Sequence, residues 1–463
     1  MWQRATVTVL SVIVAATRLL AISRAPWEWD EILFAAAVRD YDVVVHHPHP
    51  PGFPLYIALG KVVSLLGAAE FPSLQVVVVA GAMLLFPLTF ALGRILDFGF
   101  WTSIGGALLV AFAPNAWYYG GTAFTDVPGL ALILGASVLF LRGFYLWGCV
   151  LFGIALGFRP QLALVAAVPF AIATWRGFYP RPSTFDPRRQ ARAPKVEGPG
   201  SKVESRPWLG IALLASIVIA SYGGAAVASS SAREYVDAVR KQQDYVSRVD
   251  SFRSPTRPSL LSLTRTFFKP TRGSGALDKA VPILAFIGLV VAVLRRKHWL
   301  LLAMFGPIAV FSWLMLDVNA ASRYVIGYLP MFGLLAALGI ATIVRSEGAA
   351  AALCALVAII FAINAWPVLR QVRDEVPPIQ QAIRSIERGT VFTTAGVVPF
   401  AEFYGREVVD LSERPDPKDG YLLMDSLSSE PCAVNFIRAH GKLADIARAR
   451  YFEASVVPAK GCY

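Results

Sequence analysis

Two adjacent carboxylates, Asp30 and Glu31, follow the first long apolar stretch of the chain. They belong to Trp27-Glu28-Trp29-Asp30-Glu31. A proline-histidine run, His46-His47-Pro48-His49-Pro50-Pro51-Gly52-Phe53-Pro54, comes soon after. Carboxylates at the mouth of a membrane bundle are costly to desolvate, which makes them functional candidates. The chemistry open to such a group is proton abstraction from an acceptor hydroxyl. The structural alternative is an N-cap and first-turn acid for a helix over 31–39, which stabilises by about 0.5–2 kcal/mol. One pair can serve both ends.

Other residues could join them. Asp126, in Thr125-Asp126-Val127-Pro128-Gly129, suits binding of an acceptor or sugar hydroxyl, or an N-cap with Pro128 in the first turn. Arg159, in Phe158-Arg159-Pro160-Gln161, and Arg323, in Ser322-Arg323-Tyr324, carry guanidinium groups that suit phosphate oxygens. Their alternative is an arginine that snorkels from a span end. His46, His47 and His49 are three of the five histidines. Imidazole is a common metal ligand, but the prolines break helical spacing and no acidic set is fixed nearby. No metal or other cofactor is assigned. Lining a substrate site or a structural role fits His49 better.

The elements that must position these residues are membrane helices. Of 463 residues, 56% are hydrophobic and 16% charged, against about 25% charged in soluble domains. Apolar runs recur from residue 5 to residue 366. Their length fits helices, since barrel strands would alternate in short segments. Segment 5–22 reads as an anchor, with no small-residue cleavage motif after it. Spans are expected at about 5–22, 73–93, 99–117, 125–141, 144–158, 161–175, 208–228, 280–294, 299–316, 324–344 and 348–366. Segments 144–158 and 161–175 are short, fitting either a re-entrant pair or two spans that borrow flanking residues. Segment 53–69 carries Lys61 at its centre, which costs about 2.5–3.5 kcal/mol in a bilayer. It reads as a helix on the membrane surface.

Eleven spans put the N-terminus inside and the C-terminus outside. Short inner connections then hold Arg94, Arg142, Arg295-Arg296-Lys297 and Arg345, while short outer ones hold Arg159 and Arg323, in line with the positive-inside rule. The 176–207 loop, with eight Lys/Arg, falls inside; the 229–279 loop, with ten, falls outside against the rule. Within the latter, Ala232–Val249 has a helical apolar face through Tyr235, Val239 and Val246. That stretch could rest on the membrane or cap a site. The net charge of +12 fits topology and anionic lipid headgroups, and no nucleic-acid module is visible.

Residues 1–366 thus form one transmembrane unit. Residues 367–463 are expected to form a small extracytoplasmic α/β domain, with helices over Ile379–Arg388 and Phe400–Tyr404 and apolar strands at Val391–Thr394, Val408–Leu411 and Tyr421–Met424. Cys149 and Cys354 lie in apolar segments as small hydrophobes. Cys432 and Cys462 could pair if that domain is extracytoplasmic.

At these residues the chain resembles the GT-C superfamily of integral-membrane glycosyltransferases, which includes protein O-mannosyltransferases and bacterial aminoarabinose transferases. Asp30-Glu31 resembles their acidic pair in the first outer loop. His49-Pro50-Pro51-Gly52-Phe53-Pro54-Leu55-Tyr56, leading to Gly60-Lys61, is similar to a histidine-proline-proline segment of the O-mannosyltransferase branch. Arg323-Tyr324 before Leu329-Pro330 and the second acid at Asp126 also resemble family elements. The likeness covers roughly 5–345. It implies a polyprenyl-phosphate-linked sugar donor and an extracytoplasmic acceptor, with the site facing outward from a bacterial inner membrane. Asp30, before Glu31, would be the catalytic base; His49, Asp126, Arg159, Arg323 and Tyr324 would bind substrate. The rivals are a transporter or flippase for lipid-linked sugars, an O-antigen-type ligase, and a structural subunit whose polar groups are only caps.

Overall fold

The computed structural model describes residues 2–179, 207–413, 420–425, 437–438, 446 and 453–459. Cys432, Cys462 and most of the 176–207 loop lie outside the described residues. Nine helices open the chain: α1 (Trp2–Leu19), α2 (Trp29–Arg39), α3 (Pro54–Leu65), α4 (Glu70–Ile95), α5 (Phe100–Phe112), α6 (Pro114–Tyr119), α7 (Asp126–Leu141), α8 (Tyr145–Phe158) and α9 (Ala163–Phe178). Among the described residues, six helical stretches are long and apolar enough to cross a membrane: Glu70–Ile95, Pro160–Phe178, Pro207–Ala228, Leu277–Leu294, Ala321–Val344 and Glu347–Ser385. Shorter apolar helices occupy the remaining expected spans at Phe100–Phe112, Asp126–Leu141, Tyr145–Phe158 and Trp299–Met315, and α1 the first. Segments 144–158 and 161–175 are two separate helices, and the second reaches spanning length by extending over Pro160–Phe178.

Segment 53–69 is the 12-residue helix α3. At 1.5 Å per residue it is about 18 Å long, short of the roughly 30 Å of a bilayer core. Its Pro54 sits at N1, where the missing N–H costs nothing. Tyr56, Ile57 and Gly60 are buried, while Leu59, Val62, Leu65 and Leu66 are exposed.

Small residues let the bundle close. A Cβ on Gly288 would lie 1.9 Å from the Leu335 carbonyl oxygen, and one on Gly339 would lie 2.1 Å from that of Leu284. The helices Leu277–Leu294 and Leu329–Val344 therefore touch backbone to backbone, which tight van der Waals packing between membrane helices requires. A Cβ on Gly81 would likewise fall 2.5 Å from Pro128 Cα. That contact seats the first turn of α7, which carries Asp126, against α4.

The helix expected to end at 366 continues to Asp374, so the change from apolar to polar composition falls within one helix. Beyond it five strands form one sheet: β1 (Val391–Thr393), β2 (Val408–Asp410), β3 (Tyr421–Asp425), β4 (Ile437–Arg438) and β5 (Glu453–Pro458), in the order β2-β1-β3-β5-β4. β1 runs parallel to both β2 and β3, with Phe392 opposite Val409 and Leu422. β5 is antiparallel to β3 and β4. Helices Pro378–Ser385 and Val398–Phe403 cover the sheet. Their core, Ile379, Ile383, Val391, Phe400 and Leu423, takes in Ile32 from α2.

Candidate active site at the Asp30 cavity

Helix α2 sends three consecutive side chains in three directions, as the 100° step per residue of an α-helix dictates. Asp30 lines a cavity of about 530 Å³. Ile32 enters the core of the C-terminal sheet. Glu31, fully buried, faces the loop before α7: its Oε2 accepts from the Trp27 and Glu28 backbone N–H groups (2.8 and 3.0 Å) and its Oε1 from that of Ala123 (3.0 Å). The two roles open to the acidic pair are thus divided. Glu31 closes the first turn of α2 and does not line the cavity; Asp30 does.

The loop before Asp126 is pinned from both sides. Glu31 takes the Ala123 N–H, and the Tyr56 hydroxyl of α3 donates to the Ala123 carbonyl at 2.8 Å. Thr125 is the residue before α7, yet its hydroxyl makes no cap and instead accepts from Arg159 Nη1 at 2.8 Å. Asp126 is not the N-cap but the first helical residue, and its Oδ1 pairs with Arg159 Nη2 at 2.8 Å. Arg159 stands between α8 and Pro160 with only about 5% of its side chain exposed, so it does not snorkel to water.

Arg323 is placed by α6. Asn115 Nδ2 donates to the Ser322 carbonyl at 2.8 Å, and the Tyr119 hydroxyl meets Ser322 Oγ at 3.2 Å. From there Arg323 Nη1 donates to Asp30 Oδ2, and Nη2 donates to the Tyr324 hydroxyl at 3.0 Å. Its Nε lies 3.8 Å from Asp126 Oδ2, and neither atom has a hydrogen-bond partner among the described residues. Phe124 and Tyr324 flank the guanidinium, 4.7 and 5.0 Å from ring centroid to Cζ, a favourable face for a cation.

The result is an alternating array, Asp30–Arg323–Asp126–Arg159, with two charges of each sign and no side chain more than 18% exposed. His49 Nδ1 is 3.7 Å from Asp30 Oδ1, too far for a direct hydrogen bond. Its ring packs on Phe34 and Phe53. Burial disfavours the imidazolium and moves the His49 pKa down to about 4, against the pull of Asp30, so the ring is neutral at pH 7. Burial alone would raise the Asp30 pKa; Arg323, then His49, more than offset it and hold the carboxyl below its usual range. Burial raises Glu31 to about 8, opposed by its backbone donors.

The structure therefore gathers Asp30, His49, Asp126, Arg159, Arg323 and Tyr324 in one place and turns Glu31 away from it. Several lining residues had no motif in the sequence. Gln242, Tyr245 and Asp250 come from the end of the helix Ala232–Tyr245 and the turn after it, the stretch for which capping a site was one reading. Asp317 and Asn319 come from the short break between the helices Trp299–Met315 and Ala321–Tyr324. Arg257 holds that break by donating to the carbonyls of Trp313, Leu314 and Leu316. The signal for it was a polar interruption between two apolar runs. Tyr324 also lines a narrow crevice of about 10 Å³ with Arg159, Gln161 and Ser312. No group of acids, histidines and cysteines suited to a metal ion occurs among the described residues.

The whole fold is similar to that of solved proteins. ArnT from Cupriavidus metallidurans, bound to undecaprenyl phosphate, superposes with a TM-score of 0.57 at 13% identity, over 97% of both chains. The chain shares that fold. The Archaeoglobus fulgidus oligosaccharyltransferase matches in its apo form with a TM-score of 0.51 at 14% identity, over 92% of this chain and 69% of that one. The same archaeal enzyme, AglB, with an inhibitory peptide and a dolichol-phosphate matches with a TM-score of 0.50 at 13% identity. No family model and no curated protein matches the sequence. The long apolar helices make the chain an integral membrane protein, so the Asp30 array stands at one end of a membrane bundle.

Proposed function

We propose that this chain is a GT-C glycosyltransferase that moves a sugar from a polyprenyl-phosphate donor to an acceptor hydroxyl, with inversion at the anomeric carbon. The observation that carries this reading is the Asp30–Arg323 pair on the cavity wall, backed by Asp126 and Arg159. A carboxylate and two guanidinium groups in one place are what the reaction needs. The fold shared with an undecaprenyl-phosphate-bound transferase favours it over the transporter, ligase and structural readings; fold alone does not assign a reaction.

In the proposed reaction, Asp30 accepts the proton of the acceptor hydroxyl as that oxygen attacks C1. The bond from C1 to the phosphate oxygen breaks on the opposite face, through an oxocarbenium-like state. The leaving polyprenyl phosphate is a stable anion and needs no proton. Arg159 and Arg323, whose side chains are almost fully buried, stabilise its charge where fixed charges act strongly. Because the four-residue array is neutral before substrate arrives, the donor phosphate competes with Asp30 and Asp126 for the guanidinium groups. Arg323 drawn toward phosphate leaves Asp30 a stronger base. The site faces the extracytoplasmic side in this reading, and the prenyl chain lies in the grooves between helices.

The test is sugar transfer by the purified chain in lipid vesicles, with a panel of polyprenyl-phosphate sugars and acceptors. Asp30→Asn is expected to lower the rate by roughly 10²–10⁴-fold, the usual span for a general base, while Asp30→Glu retains part of it. Full activity in a folded Asp30→Asn variant would show that Asp30 is not the base.

A further inference from the structure

A second cavity, of about 680 Å³, lies at the other end of the bundle. It is separated from Arg323 by the length of the helix that ends before Arg345, roughly 33 Å for 22 residues at 1.5 Å each. Three cations, Arg295, Lys297 and Arg345, line it with His298 and the hydroxyls of Thr102 and Ser346. The apolar side chains of Val291, Leu338 and Ala341 also line it. We propose that this cavity binds the phosphate headgroup of an anionic phospholipid whose acyl chains lie on the adjoining apolar helices.

The charge on its wall is positive. Of the two acids present, Glu347 sits over the start of α5: a Cβ on Gly99 would fall 1.9 Å from its Oε1. That carboxylate lies beside the N-terminus of α5, where negative charge is favoured. Asp97 and Glu347 together leave the three cations in excess.

The turns that build the wall carry a conformational cost. Six non-glycine residues have positive φ among the described residues, and three of them, Asp97, His298 and Arg345, line this cavity at φ 63°, 62° and 55°. Left-handed backbone costs a residue with a Cβ about 1–2 kcal/mol. Glycine would relieve that cost at all three turns, yet side chains that face the cavity stand there. His298 is held further by stacking on Phe98, with centroids 3.9 Å apart, and by its Nδ1 contact with the Leu96 carbonyl at 2.8 Å.

The surroundings fit a lipid better than a free anion. Val290, Leu294, Trp299 and Ile343 are exposed apolar side chains on the helices that meet at these turns. Tryptophan at such a level is typical of the membrane–water interface. Basic pockets between helix ends are the usual receptor for anionic headgroups.

The experiment offers the purified full chain an equimolar mixture of phosphatidylglycerol and phosphatidylcholine and counts retained lipid by native mass spectrometry. The expected result is a preference for phosphatidylglycerol of at least about fivefold, since one basic residue near a lipid surface contributes about 1 kcal/mol. Arg295→Gln/Lys297→Gln/Arg345→Gln abolishes it. Arg4→Gln/Arg142→Gln/Arg176→Gln, which removes the same charge elsewhere, keeps it, as does the conservative Arg295→Lys/Arg345→Lys variant. If both glutamine triples lose the preference equally, diffuse charge explains it and the proposal fails. It fails also if inorganic phosphate displaces the lipid, which would make the cavity a site for a soluble anion.

Discussion

Arg323 begins the helix Ala321–Val344, and Arg345 follows its end. The Arg323 side chain is 10% exposed, bonded to Asp30 and close to Asp126. Arg345 is exposed, and its neighbours Arg295 and Lys297 are exposed as well. Similar cations thus stand at both ends of one bundle in opposite states. At the Asp30 end each buried charge has been matched by another, because an uncompensated one would cost several kcal/mol. At the Arg345 end water and lipid do that work, and no internal partner is required. Burial beside paired carboxylates, not residue type, sets Arg323 and Arg159 apart; Arg18 is buried too, but against the Val14 and Ala111 carbonyls and the rings of Phe112 and Trp117.

The contrast can be pressed hardest on Asp126 and Arg159. Removing one partner of a buried pair leaves the other stranded, so Asp126→Asn or Arg159→Gln should each destabilise by about 3–5 kcal/mol. The double variant should cost clearly less than the sum. Thermal melting of the purified protein in detergent measures this; simple additivity would mean that the two side chains are not coupled.

A smaller effect is expected from Arg323→Gln. Arg323 holds the Asp30 carboxyl below its usual range. Loss of the guanidinium lets that pKa rise, so the acidic limb of the kcat/KM profile should move to higher pH as total activity falls. A limb that stays where it was would separate Asp30 from the base role or from Arg323.

Glu31 differs from its neighbour in sign. Its folded pKa is raised from about 4.5 to about 8 by burial, so folding takes up a proton between those values. The stability this provides is complete below about pH 4.5 and is lost as pH rises through about 8. Melting temperature should fall across that window in the wild type, with a flatter profile in Glu31→Gln. Sugar transfer by Glu31→Gln should survive wherever the protein is folded, unlike transfer by Asp30→Asn.

The smallest effect belongs to the other end of the bundle. Arg345→Gln, at an exposed position, should change stability by no more than about 0.5 kcal/mol. A loss like that of Arg159→Gln would erase the distinction between the two ends.

Much of this contrast was legible along the chain. The eleven apolar runs are helical, although the 99–117 run breaks at Ala113 into Phe100–Phe112 and Pro114–Tyr119, because apolar runs of that length have few other ways to satisfy their backbone. A separate helix at 54–65 was expected within segment 53–69, and the strands Val391–Thr393 and Val408–Asp410 followed from short apolar runs between turn residues. Less was legible where helices meet. That Glu31 faces inward while Asp30 faces the cavity depends on the rotation of α2, which is set by Ile32 docking into the C-terminal sheet. Gln242, Tyr245, Asp250 and Asp317 reach the cavity from segments whose local sequence carries no motif.

The sequence by itself determined the class of molecule, the place of each apolar helix and the roster of charged side chains at the helix ends. These follow from composition and periodicity, which act locally along the chain. Only the tertiary structure decided that Asp30, Arg323, Asp126 and Arg159 form one alternating array, that Glu31 is not part of it, and that a second basic cavity closes at the opposite end. Those outcomes depend on how far each helix is rotated and buried, and that is fixed by packing between segments that may lie hundreds of residues apart, as Asp30 and Arg323 do.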